Sequence, residues 1–133
     1  MGARGEQMQA DVLSVLQRSS RPLSAYGILA ELRPERPKLA PQAIYRALGA
    51  LCGKGQVHRL ETKNTYVPSQ TDRDGRSTVL SICDDCGTVS ESAAPEVFDD
   101  LSVVAEQSGF VAKRHVVEII GRCGDCTGSE HGA

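Results

Sequence analysis

Aromatic residues are scarce in this sequence. It has no tryptophan, three tyrosines and two phenylalanines among 133 residues. Large aromatic side chains supply much of the apolar area that a core buries, so we expect small cores here. A core of that size often needs a bound metal to supplement it.

Long apolar segments and catalytic arrangements are also missing. No apolar run approaches transmembrane length, and the first residues do not resemble a signal peptide. We therefore expect a cytoplasmic protein without membrane partners, in which thiols stay reduced. The sequence has three histidines and shows no Ser/His/Asp set, no open triad of metal ligands and no phosphate-binding loop. The prediction is that the protein is not an enzyme.

Cysteine, by contrast, is present in a clear pattern. Cys83 and Cys86 form one CxxC pair, and Cys123 and Cys126 form a second. Two thiolates at i and i+3 on a tight turn can bind one metal ion, and two such turns complete the tetrahedron of a structural zinc site. A disulfide and unrelated core cysteines are the alternatives, and a reducing compartment favours the metal. Four sulfur ligands leave no open position, so the predicted zinc holds the fold.

Charge divides the chain into two halves. Residues 1–70 contain 10 Lys and Arg against 5 Asp and Glu, whereas residues 71–133 contain 5 against 12. This asymmetry favours two domains with different partners, the basic one suited to a polyanion. A chance distribution combined with an acidic surface is the alternative.

Three short helices and a hairpin are predicted in the first half. Apolar residues recur at helical spacing over 6–18, then after the N-cap residue Ser24, and then over 41–52. Residues 56–67 alternate around a polar turn, which predicts a β-hairpin. This order is that of a winged helix-turn-helix, with the hairpin as the wing, and we assign it to residues 1–68.

The third predicted helix would lie in the major groove of DNA. Its apolar face consists of Ile44, Ala47, Leu48 and Leu51. Its opposite face suits base and phosphate contacts, because Arg can bind guanine, Gln can bind adenine, and Tyr can touch phosphate or a thymine methyl. An ordinary amphipathic helix with a solvated face is the alternative. The candidate DNA contacts are Gln42, Tyr45 and Arg46 on this face, beside Gly49, together with Lys38 before the helix and Lys63 in the wing turn.

The second half predicts a smaller α/β domain. A polar hinge over 69–77 leads into residues 78–133, so the fold class is α+β. The predicted elements are strands over 78–82 and 88–91, a helix over 95–108, a β-rich segment over 111–120 and a polar tail over 127–133.

Several segments together resemble the ferric uptake regulator (Fur) family of bacterial transcription factors, most closely its zinc-uptake branch. They are AIYRAL (43–48), GQVHR (55–59), ICDDCGTVSE (82–91), Gly109-Phe110 and the closing cysteine pair. The resemblance implies a homodimer formed through the C-terminal α/β domain. It also implies that the winged helix binds AT-rich inverted repeats and represses metal-uptake genes when a regulatory metal is bound.

The regulatory metal site departs from the family pattern. His58 and Glu91 match two of the four ligands that the resemblance implies, but Ser69 stands where a cysteine is expected, and the following loop contains no histidine. Asp72 and His115 could complete a weaker nitrogen and oxygen site. We therefore expect weak regulatory binding. Full family behaviour through other ligands, a regulator of another metal or signal, and an interaction module held together by zinc remain the alternatives.

Overall fold

The computed structural model describes residues 3–70, 77–113 and 115–131. The chain divides into two compact units, Met1–Asp74 and Gly75–Ala133. The division falls within the segment 69–77 that the sequence predicts as a hinge, and most of that segment lies outside the described residues.

The first unit has the predicted order of three helices followed by a hairpin. The helices are α1 (Ala3–Arg18), α2 (Ala25–Leu32) and α3 (Pro41–Gly53), and the strands are β1 (Val57–Leu60) and β2 (Thr65–Pro68). Ser24 caps α2, because its side-chain oxygen accepts a hydrogen bond from the Gly27 amide at 3.0 Å. Pro41 occupies the first turn of α3, where its missing N–H leaves no broken hydrogen bond.

The core of this unit forms where the three helices meet. All four residues of the predicted apolar face of α3 are buried, which confirms that part of the sequence analysis. Arg36, in the loop before α3, forms an ion pair with Asp11 of α1 and so ties that loop to the bundle. The other buried residues of the cluster are Val12, Val15, Leu16, Ala25, Ile28, Leu29, Leu32, Val57 and Tyr66.

The wing is an antiparallel hairpin in which His58 pairs with Val67. Its turn contains Asn64 at φ 53°, a left-handed conformation that Asn tolerates better than most residues. Arg59 donates one hydrogen bond to Glu61 and one to Asn64, each at 3.0 Å. The wing turn is therefore stabilised by its backbone conformation and by the two side-chain hydrogen bonds of Arg59.

The described residues of the second unit form a three-stranded sheet and two helices. Its elements are β3 (Thr78–Cys83), β4 (Val89–Ala93), α4 (Pro95–Gln107), β5 (Glu118–Gly121) and α5 (Gly124–His131). The strand order is β4-β3-β5, with β4 antiparallel and β5 parallel to the central β3.

Two predictions for this unit were wrong in extent. Among the described residues of the β-rich segment 111–120 and its continuation, the strand covers Glu118–Gly121, because its pairing with β3 begins where the Val117 carbonyl accepts a hydrogen bond from the Leu80 amide. The polar tail predicted over 127–133 is helical as far as His131, since α5 begins inside the second cysteine pair. The Thr127 amide bonds the Cys123 carbonyl at 3.0 Å and so forms the first turn.

The second unit buries few large side chains and exposes many. The buried ones are Leu80, Ile82, Cys83 and Phe98 among the described residues. Large apolar side chains that remain exposed are Val97, Leu101, Val103, Val104, Phe110, Val111, Val116, Ile119 and Ile120. None of the described helices combines the length and apolar character that crossing a membrane requires.

Candidate metal centre and nucleic-acid interface

The first cysteine turn follows directly from the end of β3. Cys83 is the last residue of that strand, and its amide donates to the Thr88 carbonyl at 2.9 Å across the turn. Gly87 has φ 80°, a conformation that glycine adopts without strain. The turn therefore brings Cys86 back beside Cys83.

The second cysteine turn is placed by the parallel pairing of β5 with β3. This pairing sets Gly121 opposite Cys83, and the Gly121 carbonyl accepts a hydrogen bond from the Asp84 amide at 2.7 Å. Cys123 follows the strand, and Cys126 lies in the first turn of α5. Gly124 within this pair is not left-handed, because it begins the helix α5.

The four sulfur atoms are arranged for one metal ion. All four lie within 4.8 Å of one another. Cys83 Sγ is 3.6 Å from Cys126 Sγ, and Cys86 Sγ is 3.7 Å from Cys123 Sγ. A zinc–sulfur distance of about 2.3 Å implies a sulfur–sulfur edge of about 3.8 Å in a tetrahedron. The donor set therefore fits a structural zinc, and all four cysteines are free rather than paired as disulfides.

The hydrogen bonds around Cys83 and Cys86 favour the thiolate over the thiol form in the first cysteine turn. Hydrogen bonds from the Cys86 amide and then the Cys123 amide lower the pKa of Cys83 to about 6. The Thr88 hydroxyl, 2.9 Å from Cys86 Sγ, lowers the pKa of the Cys86 thiol. Cys126 shows the opposite effect, since its contacts with Cys123 and Cys83 raise its pKa. A cation at the centre would displace the remaining protons.

Two residues around this cluster were missed by the sequence analysis. Thr88 contacts Cys86 as described, and the Arg122 side chain forms an ion pair of 3.1 Å with Asp85, which joins the two cysteine turns. Both partners of this pair are partly exposed, so it contributes at most about 1 kcal/mol. Their only sequence signal was adjacency to the CxxC pairs.

The predicted DNA-contacting face of α3 is exposed. Gln42, Tyr45, Arg46 and Gly49 all lie on the solvent side of the helix, and Tyr45 is 47% accessible. The α3 sequence, PQAIYRALGALCG, contains no acidic residue. Lys38 and Lys63 are exposed in the loop before α3 and in the wing turn. The exposed face of α3 therefore carries no acidic group that would repel phosphate.

Comparison with known proteins decides the family. The model of the ferric uptake regulator family matches residues 1–120. This chain belongs to the ferric uptake regulator family. It is 35% identical over 117 residues to the zinc uptake regulation protein of Escherichia coli (strain K12), covering 87% of this chain and 68% of that protein. It is 27% identical over 125 residues to the zinc uptake regulation protein of Mycobacterium tuberculosis (strain ATCC 25618 / H37Rv), covering 94% and 95%.

Solved structures of this family agree with the fold. A zinc uptake regulator complexed with zinc and DNA superposes with a TM-score of 0.87 at 34% identity, covering 93% of this chain and 83% of that chain. The structure of holo XcZur gives a TM-score of 0.84 at 30% identity, covering 96% and 89%. The α+β fold predicted from the sequence is confirmed.

The candidate regulatory ligands of this Fur-family chain are distributed over both units. His58 is half-buried in β1 of the first unit. Glu91 lies in β4 of the second unit, opposite Leu80 of β3. His115 packs edge-on against Phe98 at 5.3 Å, and its Nε2 lies 3.2 Å from the Ser102 hydroxyl. Asp72 lies outside the described residues. The regulatory site therefore stays a prediction.

Proposed function

We propose that this chain is a zinc-responsive DNA-binding transcriptional repressor of metal-uptake genes. The observation that carries the proposal is its similarity, along 93% of its length, to a zinc uptake regulator complexed with zinc and DNA. In this proposal the first unit binds DNA, and the second binds metal and forms the dimer. Repression by DNA binding requires no catalytic group, and it would take place in the bacterial cytoplasm, where the DNA is.

The exposed apolar surface of the second unit supports a homodimer. Valine, leucine, isoleucine and phenylalanine side chains of α4, β5 and the segment between them are open to solvent. Monomeric proteins rarely leave a large contiguous apolar patch exposed. A second copy of the chain, related by a two-fold axis, would cover this surface.

A two-fold dimer presents two copies of α3 to DNA. Such a dimer binds an inverted repeat, since each α3 enters the major groove of one half-site. We propose an AT-rich inverted repeat as the operator. Gln42, Tyr45 and Arg46 would supply base and phosphate contacts, while Lys38 and Lys63 would bind flanking phosphates.

We propose two zinc sites, a structural one that binds tightly and a regulatory one that binds weakly. Cys83, Cys86, Cys123 and Cys126 would hold one structural zinc per chain. Zinc with four sulfur ligands has no open position, so its role there is to hold the two turns together. A second, regulatory site would be built on His58 and Glu91, helped by Asp72 and His115. Because it lacks a thiolate, it would bind zinc weakly and discriminate poorly against other divalent metals.

DNA binding is tested with a labelled AT-rich inverted-repeat duplex and the zinc-loaded protein, by fluorescence anisotropy at several salt concentrations. Arg46→Ala should weaken binding by about 1–3 kcal/mol if the guanidinium contacts a base. Tyr45→Ala should also weaken it, with a stability change within about 0.5 kcal/mol, because this side chain is outside the core. The affinity of the parent should fall as salt rises.

Arg18→Ala serves as the control for charge, since it removes one exposed positive charge from the end of α1, outside both the assigned DNA contacts and the proposed dimer surface. Its affinity should equal that of the parent. If the parent does not bind the duplex, the interaction-module alternative gains support. If both α3 variants bind as the parent does, the assignment of α3 as the DNA-binding helix is wrong.

A further inference from the structure

Gly49 is a glycine in the middle of α3 whose presence the fold does not explain. Apart from proline, glycine is the poorest helix former, so a mid-helix glycine lowers stability relative to alanine. Gly49 lies well inside the helix, which runs from Pro41 to Gly53. The position would therefore be more stable with almost any other helix-forming residue.

Neither backbone conformation nor packing requires a glycine here. The left-handed glycines of the described chain are Gly55, Gly87 and Gly109, and Gly49 has ordinary helical geometry. A Cβ atom built at Gly49 would meet no other atom within 4 Å. This differs from Gly27 of α2, where a Cβ would lie 3.3 Å from the Ser24 cap oxygen. No contact within the described residues requires a small side chain at Gly49.

The position of Gly49 on α3 suggests a role in binding. Gln42, Tyr45, Arg46 and Gly49 stand at i, i+3, i+4 and i+7, so they form one stripe along the helix. This is the exposed stripe opposite the buried residues, and no acidic residue interrupts it. Gly49 lies one turn beyond both Tyr45 and Arg46, on the surface that the proposed function turns toward DNA.

Clearance in the major groove is small. An α-helix with its side chains is about 10–12 Å across, and the groove is about 12 Å wide. Removing a side chain from the groove-facing side lets the helix axis move toward the base edges. Glycine is the residue that permits such close backbone approach to a ligand.

We propose that Gly49 is a positioning residue for DNA binding, at which the backbone of α3 lies against the floor or wall of the major groove. The absent side chain lets Tyr45 and Arg46 reach their contacts from a closely seated helix. The proposal rests on the proposed function, and it predicts that stability and DNA affinity change in opposite directions on substitution.

The test is a size series at this position in the full-length, zinc-loaded protein. Gly49→Ala and Gly49→Leu both introduce good helix formers, so each should raise the melting temperature of the first unit, by about 4 °C or more. Affinity for the inverted-repeat duplex should fall about 10-fold for alanine and about 100-fold for leucine. Sedimentation velocity should show an unchanged oligomeric state.

Gly5→Ala and Gly5→Leu are the matched controls. Gly5 is also an exposed helical glycine with no atom within 4 Å of a built Cβ, but it lies on α1. These variants should bind DNA as the parent does. Loss of binding in Arg46→Ala, combined with parental affinity in Gly49→Leu, would overturn the inference while leaving the proposed function intact. A lowered melting temperature in Gly49→Ala, or a changed oligomeric state, would overturn it too.

Discussion

The two units of this chain are stabilised by different means. The first buries a continuous cluster contributed by all three helices and the wing, and its exposed large apolar residues are Tyr26 and Tyr45 among those described. The second buries little beyond the inner face of β3 and Phe98, and it exposes a broad apolar surface. The first unit can be stable through its own core. The second has four cysteines that could hold a metal ion, and it exposes an apolar surface that the proposed partner chain would cover.

This difference follows from where the apolar residues lie in the sequence. In the first unit they recur on one face of each helix, so three faces can close on one another. In the second, α4 and β5 carry apolar residues that remain exposed beside the three-stranded sheet and the two described helices. A four-cysteine cluster at one end of the sheet could hold a metal ion, which would stabilise a unit whose own core is small.

Removing the structural zinc should have the largest effect, and it should be confined to the second unit. Structural zinc sites of this kind contribute apparent binding free energies of about 10–16 kcal/mol, which become folding free energy. Cys83→Ser should therefore lose zinc, monomerise, and lose amide-exchange protection in β3, β4 and β5. Protection in α1 and α3 should persist.

Cys52→Ser is the matched control for this experiment, because it changes the one cysteine outside the cluster. It should retain one zinc per chain by elemental analysis. A Cys83→Ser protein that remains a folded, zinc-loaded dimer would contradict the assignment of the cluster.

A cavity in the core of the first unit should destabilise that unit and leave zinc binding by the second unchanged. Leu48 is 1% exposed and lies within the helical cluster. Leu48→Ala should lower the unfolding free energy of the first unit by about 2–5 kcal/mol, through lost burial and the cavity left behind. Chemical denaturation followed by amide exchange would measure this, with zinc content expected to stay at one per chain. Simultaneous loss of zinc would show that the units do not fold independently.

A charge placed on the exposed apolar surface should separate the proposed dimer. Ile119 lies on the edge strand β5 and is 55% exposed. Ile119→Asp should raise the dimer dissociation constant about 100-fold, because a carboxylate would be buried without a partner. Sedimentation equilibrium measures this constant. Ser92→Asp, on the exposed side of the opposite edge strand β4, should leave the dimer intact, and equal effects of both variants would place the interface elsewhere.

The sequence predicted the first unit well because its signals are local. Pro41, the Ser24 cap and helical apolar spacing placed α2 and α3 within a residue or two. The metal cluster was predictable as well, since two CxxC pairs encode it directly. The helix α5 was missed because GDCTGSEH is a poor helix-forming sequence, and the second cysteine turn sets its first hydrogen bond.

Other features depend on partners that no local pattern reveals. The valines and isoleucines of 111–120 predict a longer strand than β5, but several of them form an exposed surface instead. The Thr88 contact with Cys86 depends on the exact shape of the turn. The candidate regulatory ligands His58 and Glu91 lie in different units and Asp72 lies outside the described residues, so sequence spacing alone does not determine whether they form a site.

Operator binding under controlled free zinc tests the central claim most directly. The protein is first loaded with one structural zinc per chain, and its affinity for the inverted-repeat duplex is then measured across buffered zinc concentrations, for the parent and for His58→Ala. We expect specific binding whose zinc dependence appears only well above nanomolar free zinc, because the proposed regulatory site lacks a thiolate. A second site of sub-nanomolar affinity that switches DNA binding on and is lost in His58→Ala would contradict this account and show a complete zinc sensor.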